Sequence, residues 1–222
     1  MFDILHQLPI FQGLSHEDCI EILEKVNLCF TNHSAGKRLV WADTPCNRLF
    51  YLLQGEVEME TVSEDKQIAI KEYIKGPYLF EPESLFGMHT NFRSSYLACT
   101  QCSTIDISKR YILDELFRYN ICQLNYLNLL SMRAQRLRRY IWKSPVEDLQ
   151  IRFYYFLLHH CEQSHGKKII QASMQNLGRQ FNETRFIISH LLHDLEDKGL
   201  LTFKRGIITI PQLERLAPDY KH

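Results

Sequence analysis

The sequence lacks any hydrophobic run close to the roughly 20 residues that a helix needs to span a bilayer. It opens without the basic residues and apolar core of a signal peptide. Its seven cysteines suggest no disulfide framework, because their number is odd and only Cys99 and Cys102 fall at C-x-x-C spacing. We therefore expect a cytoplasmic protein with free thiols and no membrane partner.

Patterns typical of catalysis and metal binding are also missing. Neither a Ser–His–Asp spacing nor a glycine-rich phosphate loop stands out. A zinc site would need a second cysteine pair and an iron–sulfur cluster four ligands, whereas the N-terminal segment offers only Cys19 and Cys29. A metal-binding, cupin-like enzyme would need histidines on neighbouring strands, and the β-rich region holds only His33 and His89. We expect no enzymatic activity, no metal and no haem.

The chain also lacks a net charge, but its charges are unevenly distributed. Residues 1–132 hold 11 Lys and Arg against 17 Asp and Glu, a balance of −6. Residues 133–222 hold 15 against 9, a balance of +6. An acidic module joined to a basic one is typical of a protein that binds DNA at one end.

The order of predicted elements indicates an α+β protein. Residues 3–28 are predicted to be helical, with a capping pattern at Ser15. Residues 30–107 contain short β segments separated by turn signals, which predicts a sandwich or barrel. A long helix is then predicted from near Ser108, and Pro145 marks a hinge because the residue before a proline avoids the α conformation.

Apolar and amide side chains recur along that long helix at alternating steps of three and four: Leu113, Leu116, Asn120, Gln123, Leu127, Leu130, Ala134, Leu137 and Ile141. This spacing is typical of a two-stranded coiled coil. The alternative, one amphipathic helix packed on its own barrel, usually shows a broader apolar stripe. We therefore predict a homodimer whose seam consists of Leu127, Leu130, Ala134, Leu137 and Ile141.

Residues 174–210 predict a helix-turn-helix followed by a β-wing. In the first helix Leu177 and Phe181 share one face, and Gly178 allows a second helix to cross closely. Asn182 follows, and asparagine tolerates the left-handed conformation that a sharp turn needs.

The second helix of this motif is predicted from Arg185 to Lys198, between a Thr184 N-cap and Gly199. Its apolar positions recur at helical spacing and predict the buried face: Ile188, Leu191, Leu192 and Leu195. The opposite face carries Arg185, Phe186, Ser189, His190 and His193. Two short strands around Lys204-Arg205-Gly206 complete a winged helix, and such a helix is built to enter the major groove of DNA.

The order of these parts resembles the Crp–Fnr family of bacterial transcription regulators over essentially the whole chain. Three stretches carry the resemblance: Leu195-Glu196-Asp197-Lys198-Gly199-Leu200-Leu201, Ala35-Gly36-Lys37-Arg38-Leu39-Val40-Trp41 and Leu49-Phe50-Tyr51-Leu52-Leu53-Gln54-Gly55-Glu56-Val57. The last two are similar to a cyclic-nucleotide-binding-type jelly roll. The resemblance implies a jelly-roll sensor domain over residues 1–107, a dimerisation helix and hinge over 108–144, and a winged helix-turn-helix DNA-binding domain over 145–222.

Family members read bases with an Arg, followed by a Glu and an Arg on the recognition helix. Arg185 matches the first and implies a bidentate bond to guanine. Phe186 and His190 replace the other two, so Phe186 either contacts a thymine methyl group or packs against the wing, and His190 donates to a base or a phosphate. Phosphate contacts are expected from Thr184, Ser189, Arg179, Lys204 and Arg205.

In members that bind cyclic nucleotides, a Glu contacts the ribose, and an Arg–Ser pair beginning ten residues later contacts the phosphate. Glu83, Arg93 and Ser94 match that spacing, and the alternative is an ordinary surface ion pair between Glu83 and Arg93. The glycine that normally precedes the Glu is Pro82, which has no N–H to donate. A cyclic nucleotide is therefore disfavoured, and the identity of the effector stays open.

We predict a homodimeric, sequence-specific regulator of transcription with double-stranded DNA as its partner. The resemblance adds RNA polymerase as a second partner and a palindromic site read in successive major grooves. The alternative is a ligand-binding or dimerisation module whose winged helix contacts protein. Salt-dependent DNA affinity separates the two, because counterion release accompanies phosphate contacts.

Overall fold

The computed structural model describes residues 8–25, 29–141 and 148–217. The chain divides into two compact units, one of residues 1–57 and 75–138 and one of residues 58–74 and 139–222. The strands are β1 (Cys29–His33), β2 (Arg38–Val40), β3 (Arg48–Gln54), β4 (Glu56–Val62), β5 (Ile68–Lys75), β6 (Tyr78–Phe80), β7 (Ser94–Ala98), β8 (Cys102–Ser108), β9 (Lys168–Ala172), β10 (Thr202–Lys204) and β11 (Ile207–Ile210). The helices are α1 (His16–Lys25), α2 (Lys109–Asp114), α3 (Asn120–Ile141), α4 (Leu149–His160), α5 (Met174–Phe181) and α6 (Arg185–Asp197).

The first unit is built around an antiparallel sheet with the strand order β1–β8–β3–β6, and β2 pairs with β7. Strand β3 carries four consecutive buried side chains, Leu49, Phe50, Tyr51 and Leu52. Such a continuous apolar run suits a strand that is covered on both faces. The barrel-type N-terminal region, the helices after it and the C-terminal helix-turn-helix confirm the predicted α+β class.

The helix expected over residues 3–28 is shorter than predicted. A 3₁₀ turn at Pro9–Phe11 comes first, and Gly13 then adopts a φ of +81° that a helix cannot contain. Helix α1 begins only after Ser15, whose hydroxyl accepts the Asp18 N–H at 3.0 Å and confirms the predicted capping pattern.

The single helix predicted from Ser108 is wrong, because the chain forms α2, a 3₁₀ turn at Leu116–Arg118 and then α3. Leu116 is fully buried, so this turn follows from the packing of the first unit, although the three-and-four spacing continues through it. Ser108 does cap α2, since its hydroxyl accepts the Tyr111 N–H at 3.2 Å. The predicted hinge at Pro145 lies outside the described residues.

One face of α3 packs within the first unit. The Tyr126 hydroxyl donates to the Pro82 carbonyl at 2.7 Å, and the Asn125 amide donates to the Gln12 carbonyl at 2.7 Å. The predicted seam is less covered, since Leu127 and Leu137 are 59% and 54% exposed. Leu130 is half-buried and Ala134 is exposed. The structure describes the backbone of Ile141 but not its side chain.

The second unit contains a sheet with the order β10–β11–β9–β5–β4. Strand β5 pairs with β9 in antiparallel register, from Ile68 opposite Ala172 to Glu72 opposite Lys168. Ile68 and Ile70 are buried in the same hydrophobic cluster as residues of α4, α5 and α6. The β4–β5 hairpin therefore packs with the C-terminal segment, although the sequence analysis counts it with the barrel.

Polar contacts strengthen this pairing. The Lys168 Nζ lies 2.9 Å from a Glu72 carboxylate oxygen, and both side chains are at least 98% buried. The same carboxylate accepts the N–H groups of Glu162 and Gln163 at 2.7 and 3.1 Å. A buried ion pair with these additional hydrogen bonds has few unsatisfied polar groups, which is the condition for tolerating it in a core. None of the helices in the described ranges has the length and apolar character of a membrane span.

Candidate nucleic-acid interface

The first helix of the predicted helix-turn-helix is α5. The Ser173 hydroxyl caps it by accepting the Asn176 N–H at 3.1 Å. Leu177 and Phe181 are buried on one face, as predicted. The helix ends at Asn182, whose φ of +54° is the left-handed conformation expected for the turn.

Gly178 allows the close approach that the sequence predicts. A Cβ atom at this position would lie 2.7 Å from the carbonyl oxygen of Glu183, which is inside any normal contact distance. The Glu183 N–H in turn donates to the Gly178 carbonyl at 2.8 Å. The turn between α5 and α6 is therefore tight enough to require glycine.

Arg152 on α4 also holds this turn, a role that no local sequence pattern predicts. Its guanidinium lies 2.8 Å from a Glu183 carboxylate oxygen and donates to the Phe181 carbonyl. These partners are 29 and 31 residues away in sequence, so no local spacing signals the contact. A guanidinium that bridges a carboxylate and a carbonyl fixes the geometry of both.

Helix α6 matches the predicted recognition helix. The Thr184 hydroxyl caps it by accepting the Ile187 N–H at 3.3 Å, and Gly199 ends it with a φ of +67°. Three of the four predicted apolar residues, Ile188, Leu192 and Leu195, are buried, and Leu191 is half-buried. The predicted inner and outer faces of this helix are thus confirmed.

The outer face of α6 carries the predicted DNA-reading residues. Arg185 and His190 are exposed, Ser189 is half-buried, and Phe186 is 77% exposed. At that exposure Phe186 does not pack against the wing. Phe203 of β10 contacts α6 instead, with its ring edge-to-face to His193 at a centroid distance of 5.0 Å.

The wing is a tight hairpin of β10 and β11. Arg205 and Gly206 at its tip have φ values of +51° and +82°, as in a type I′ turn. The Glu196 carboxylate accepts the Phe203 N–H at 3.2 Å and ties the wing to α6. Lys204 and Arg205 are exposed at the tip, where they carry positive charge.

A groove of about 460 Å³ lies between the wing and the two helices. Arg185 from α6 and Arg205 from the wing both line it, together with Gln175 from α5. The predicted residue Arg179 is exposed on α5. The structure therefore brings two of the predicted cationic residues to one concave surface beside an exposed helix, an arrangement that suits a polyanion.

The barrel residues predicted to bind an effector have other partners in the structure. The Glu83 carboxylate pairs with the Arg133 guanidinium of α3 at 2.8 Å, rather than with Arg93 as in the alternative of a surface ion pair. The N–H groups of Arg93 and Ser94 donate to the carboxylate of Glu81, a residue that was not predicted to take part in this site. These two N–H groups are therefore already engaged and not available to the phosphate of a cyclic nucleotide.

All seven cysteines are free thiols. Burial raises the pKa of the Cys46 thiol to about 11 and that of the Cys122 thiol to about 12, so neither is a thiolate at neutral pH. In the described ranges, no group of three or more His, Cys, Asp or Glu side chains is arranged to hold a metal ion.

Comparisons with known proteins agree with this architecture. Residues 30–119 match the family described as "Cyclic nucleotide-binding domain", and residues 151–218 match "Crp-like helix-turn-helix domain". Among curated proteins, no sequence matches the chain significantly.

Solved structures share the fold over almost the whole chain. The catabolite activator protein of Thermus thermophilus is 18% identical with a TM-score of 0.51, over 94% of this chain and 97% of that one. A transcriptional regulator of the Crp/Fnr family from Eubacterium rectale is 16% identical with a TM-score of 0.52, over 95% and 97%. The two domain matches, which together cover most of the chain in this order, place it in the Crp–Fnr family of transcription regulators.

Proposed function

We propose that the protein is a homodimeric, sequence-specific DNA-binding regulator that inserts α6 into the major groove. The observation that carries the proposal is the position of Arg185, which lies exposed at the start of α6 and lines one groove with Arg205 of the wing. The N-terminal residues of a recognition helix are those that reach base edges.

The proposed contacts divide into base reading and positioning. Arg185 bonds guanine O6 and N7, and the exposed ring of Phe186 contacts a thymine methyl group. His190, whose Nδ1 lies 3.1 Å from the Asp194 carboxylate, presents its other ring nitrogen to a base. Phosphate contacts come from Arg179, Thr184, Ser189, Lys204 and Arg205.

Dimerisation through α3 completes the proposal. The seam residues Leu127 and Leu137 expose more than half of their side chains within one unit, and a second copy of α3 would cover them. Two recognition helices would then read half-sites about 34 Å apart on a palindromic operator. RNA polymerase is the further partner that family membership supports. An effector-binding role for Glu83, Arg93 and Ser94 stays a prediction.

A selection experiment tests DNA reading directly. The wild-type protein is used to enrich an operator from random duplex DNA, and affinity is then measured on that operator and on a scrambled sequence. We expect Arg185→Ala to weaken operator binding by about 1–3 kcal/mol, roughly 5- to 150-fold, and to spare most of the affinity for the scrambled duplex.

Arg110→Ala is the matched control, because it removes the same charge from an exposed side chain of the first unit. We expect it to bind like the wild type. The logarithm of wild-type affinity should fall steeply with the logarithm of salt concentration. Failure to enrich any sequence, together with a flat salt dependence, would favour the alternative module whose exposed Phe186 contacts protein.

A further inference from the structure

Glu81 is a buried acidic residue in the barrel that the proposed function does not use. It follows β6 directly, has a φ of +33°, and exposes only 3% of its surface. The left-handed region is unfavourable for a residue with a side chain and is retained where surrounding contacts over-determine it. Its carboxylate therefore has a defined position inside the first unit.

Neutral groups donate hydrogen bonds to this carboxylate. The Arg93 N–H lies 2.5 Å from one oxygen, and the Ser84 hydroxyl lies 3.2 Å from the same oxygen. The other oxygen accepts the Ser94 N–H at 2.9 Å and the Tyr96 hydroxyl at 3.1 Å. No Lys or Arg side chain of the described residues forms an ion pair with Glu81, and burial raises the pKa of its carboxyl although the Arg93 and Ser94 N–H groups oppose the shift.

Converging donors of this kind form an oxyanion site. Successive backbone N–H groups that point to one place bind carboxylate and phosphate groups, and charge-assisted hydrogen bonds to them are short. The space beside the carboxylate is filled as well, because the rings of Phe80 and Tyr96 stack with a centroid distance of 4.0 Å and are fully buried. An external anion would need the donors that Glu81 already engages.

We propose that Glu81 is a built-in occupant of an oxyanion site, so that the wild-type barrel is closed to carboxylate- and phosphate-bearing effectors. The same two residues, Arg93 and Ser94, are those that the sequence singles out for an effector phosphate. This role of Glu81 concerns the barrel alone and does not depend on DNA binding. An experiment can therefore contradict it without contradicting the proposed function.

Chemical rescue tests the proposal. Glu81→Ala leaves the Arg93 and Ser94 N–H groups without their acceptor, and we expect its melting temperature to fall by roughly 5–10 °C. Sodium acetate or inorganic phosphate should then raise that temperature more than sodium chloride at equal ionic strength. The wild type and the control Glu83→Ala, whose carboxylate is half-exposed and pairs with Arg133, should gain less than the variant.

A measurement on the wild type keeps the test decisive if Glu81→Ala does not fold. The amide resonances of Arg93 and Ser94 should not move when cyclic AMP or inorganic phosphate is added. The neutral, equally large Glu81→Gln should melt below the wild type without rescue by acetate, since its side chain still fills the site. The proposal is overturned if either ligand shifts those wild-type resonances, or if acetate and chloride affect Glu81→Ala equally.

Discussion

His33 shows how one side chain can link stability to pH. It lies on β1, is 8% exposed, and its Nε2 lies 2.9 Å from the Thr104 hydroxyl. Its Nδ1 has no hydrogen-bond partner in the described part of the chain. Burial, reinforced by the positive charge of Lys37 and opposed by Asp106, lowers the pKa of His33 below its ordinary value of 6.5.

A titration of stability checks this effect. Because the unfolded chain binds the proton more readily, the stability that neutral His33 contributes is complete above pH 6.5 and is lost as pH falls towards its folded pKa. We expect the free energy of unfolding of His33→Gln to depend less on pH below 6.5 than that of the wild type. His89→Gln, at an exposed position, should keep the wild-type dependence. Equal pH dependence in all three proteins would contradict this assignment.

Single residues also show what can be predicted from local sequence. Thr184, Asn182 and Gly199 act within a few positions of themselves, as caps and turn residues, and each was predicted in its observed role. Arg152 and Glu81 bind backbone groups 12 or more residues away, and their spacing repeats no periodic pattern. Their roles depend on the folded chain, so sequence reasoning missed both.

The crossing of α5 and α6 is the element-scale contact that depends most on one position. Replacing glycine with alanine at an open helix position stabilises a protein by about 1 kcal/mol. Here the added methyl would lie 2.7 Å from the Glu183 carbonyl, so the helices must separate. We expect Gly178→Ala to destabilise the protein by about 1–2 kcal/mol in chemical denaturation and to weaken DNA binding.

Gln180→Ala is the control for that substitution, because it alters an exposed residue of the same helix. It should leave stability unchanged or slightly raised, in keeping with the helix propensity of alanine. A Gly178→Ala protein that is as stable as this control would show that the helices do not need their close approach.

Helix boundaries were harder to predict than helix faces. The three-and-four spacing runs from Leu113 through Leu116 into α3, but the chain leaves the helix at Glu115 and again at Tyr119. Burial of Leu116 in the first unit outweighs the local pattern there. The periodicity of apolar residues predicts which side of a helix is buried. It does not predict where tertiary packing ends the helix.

At the scale of the molecule, assembly into a dimer is the property to test. Leu127→Lys places a charge in the proposed seam, and we expect it to convert the dimer to a monomer in analytical ultracentrifugation. Met132→Lys is the matched control, since Met132 is 67% exposed on a different side of the same helix. Dimer mass in both variants would place the subunit interface elsewhere.

The charges of the folded molecule are distributed differently between its two units than between the two halves of the sequence. The β4–β5 hairpin brings five acidic residues into the second unit: Glu58, Glu60, Glu64, Asp65 and Glu72. They largely offset the positive charge of the C-terminal segment. Attraction for DNA must then come from the local grouping of Arg185 and Arg205 at the groove beside α6.

The hairpin makes both units discontinuous, since the chain passes between them after residues 57, 74 and 138. A gene fragment that encodes only the C-terminal residues would omit β5 and leave the β9 backbone as an open edge, with Lys168 deprived of Glu72. Recombination that exchanges one module at a single breakpoint would therefore separate strands of one sheet. The second unit, which carries α6, can therefore be exchanged between proteins only together with the β4–β5 hairpin.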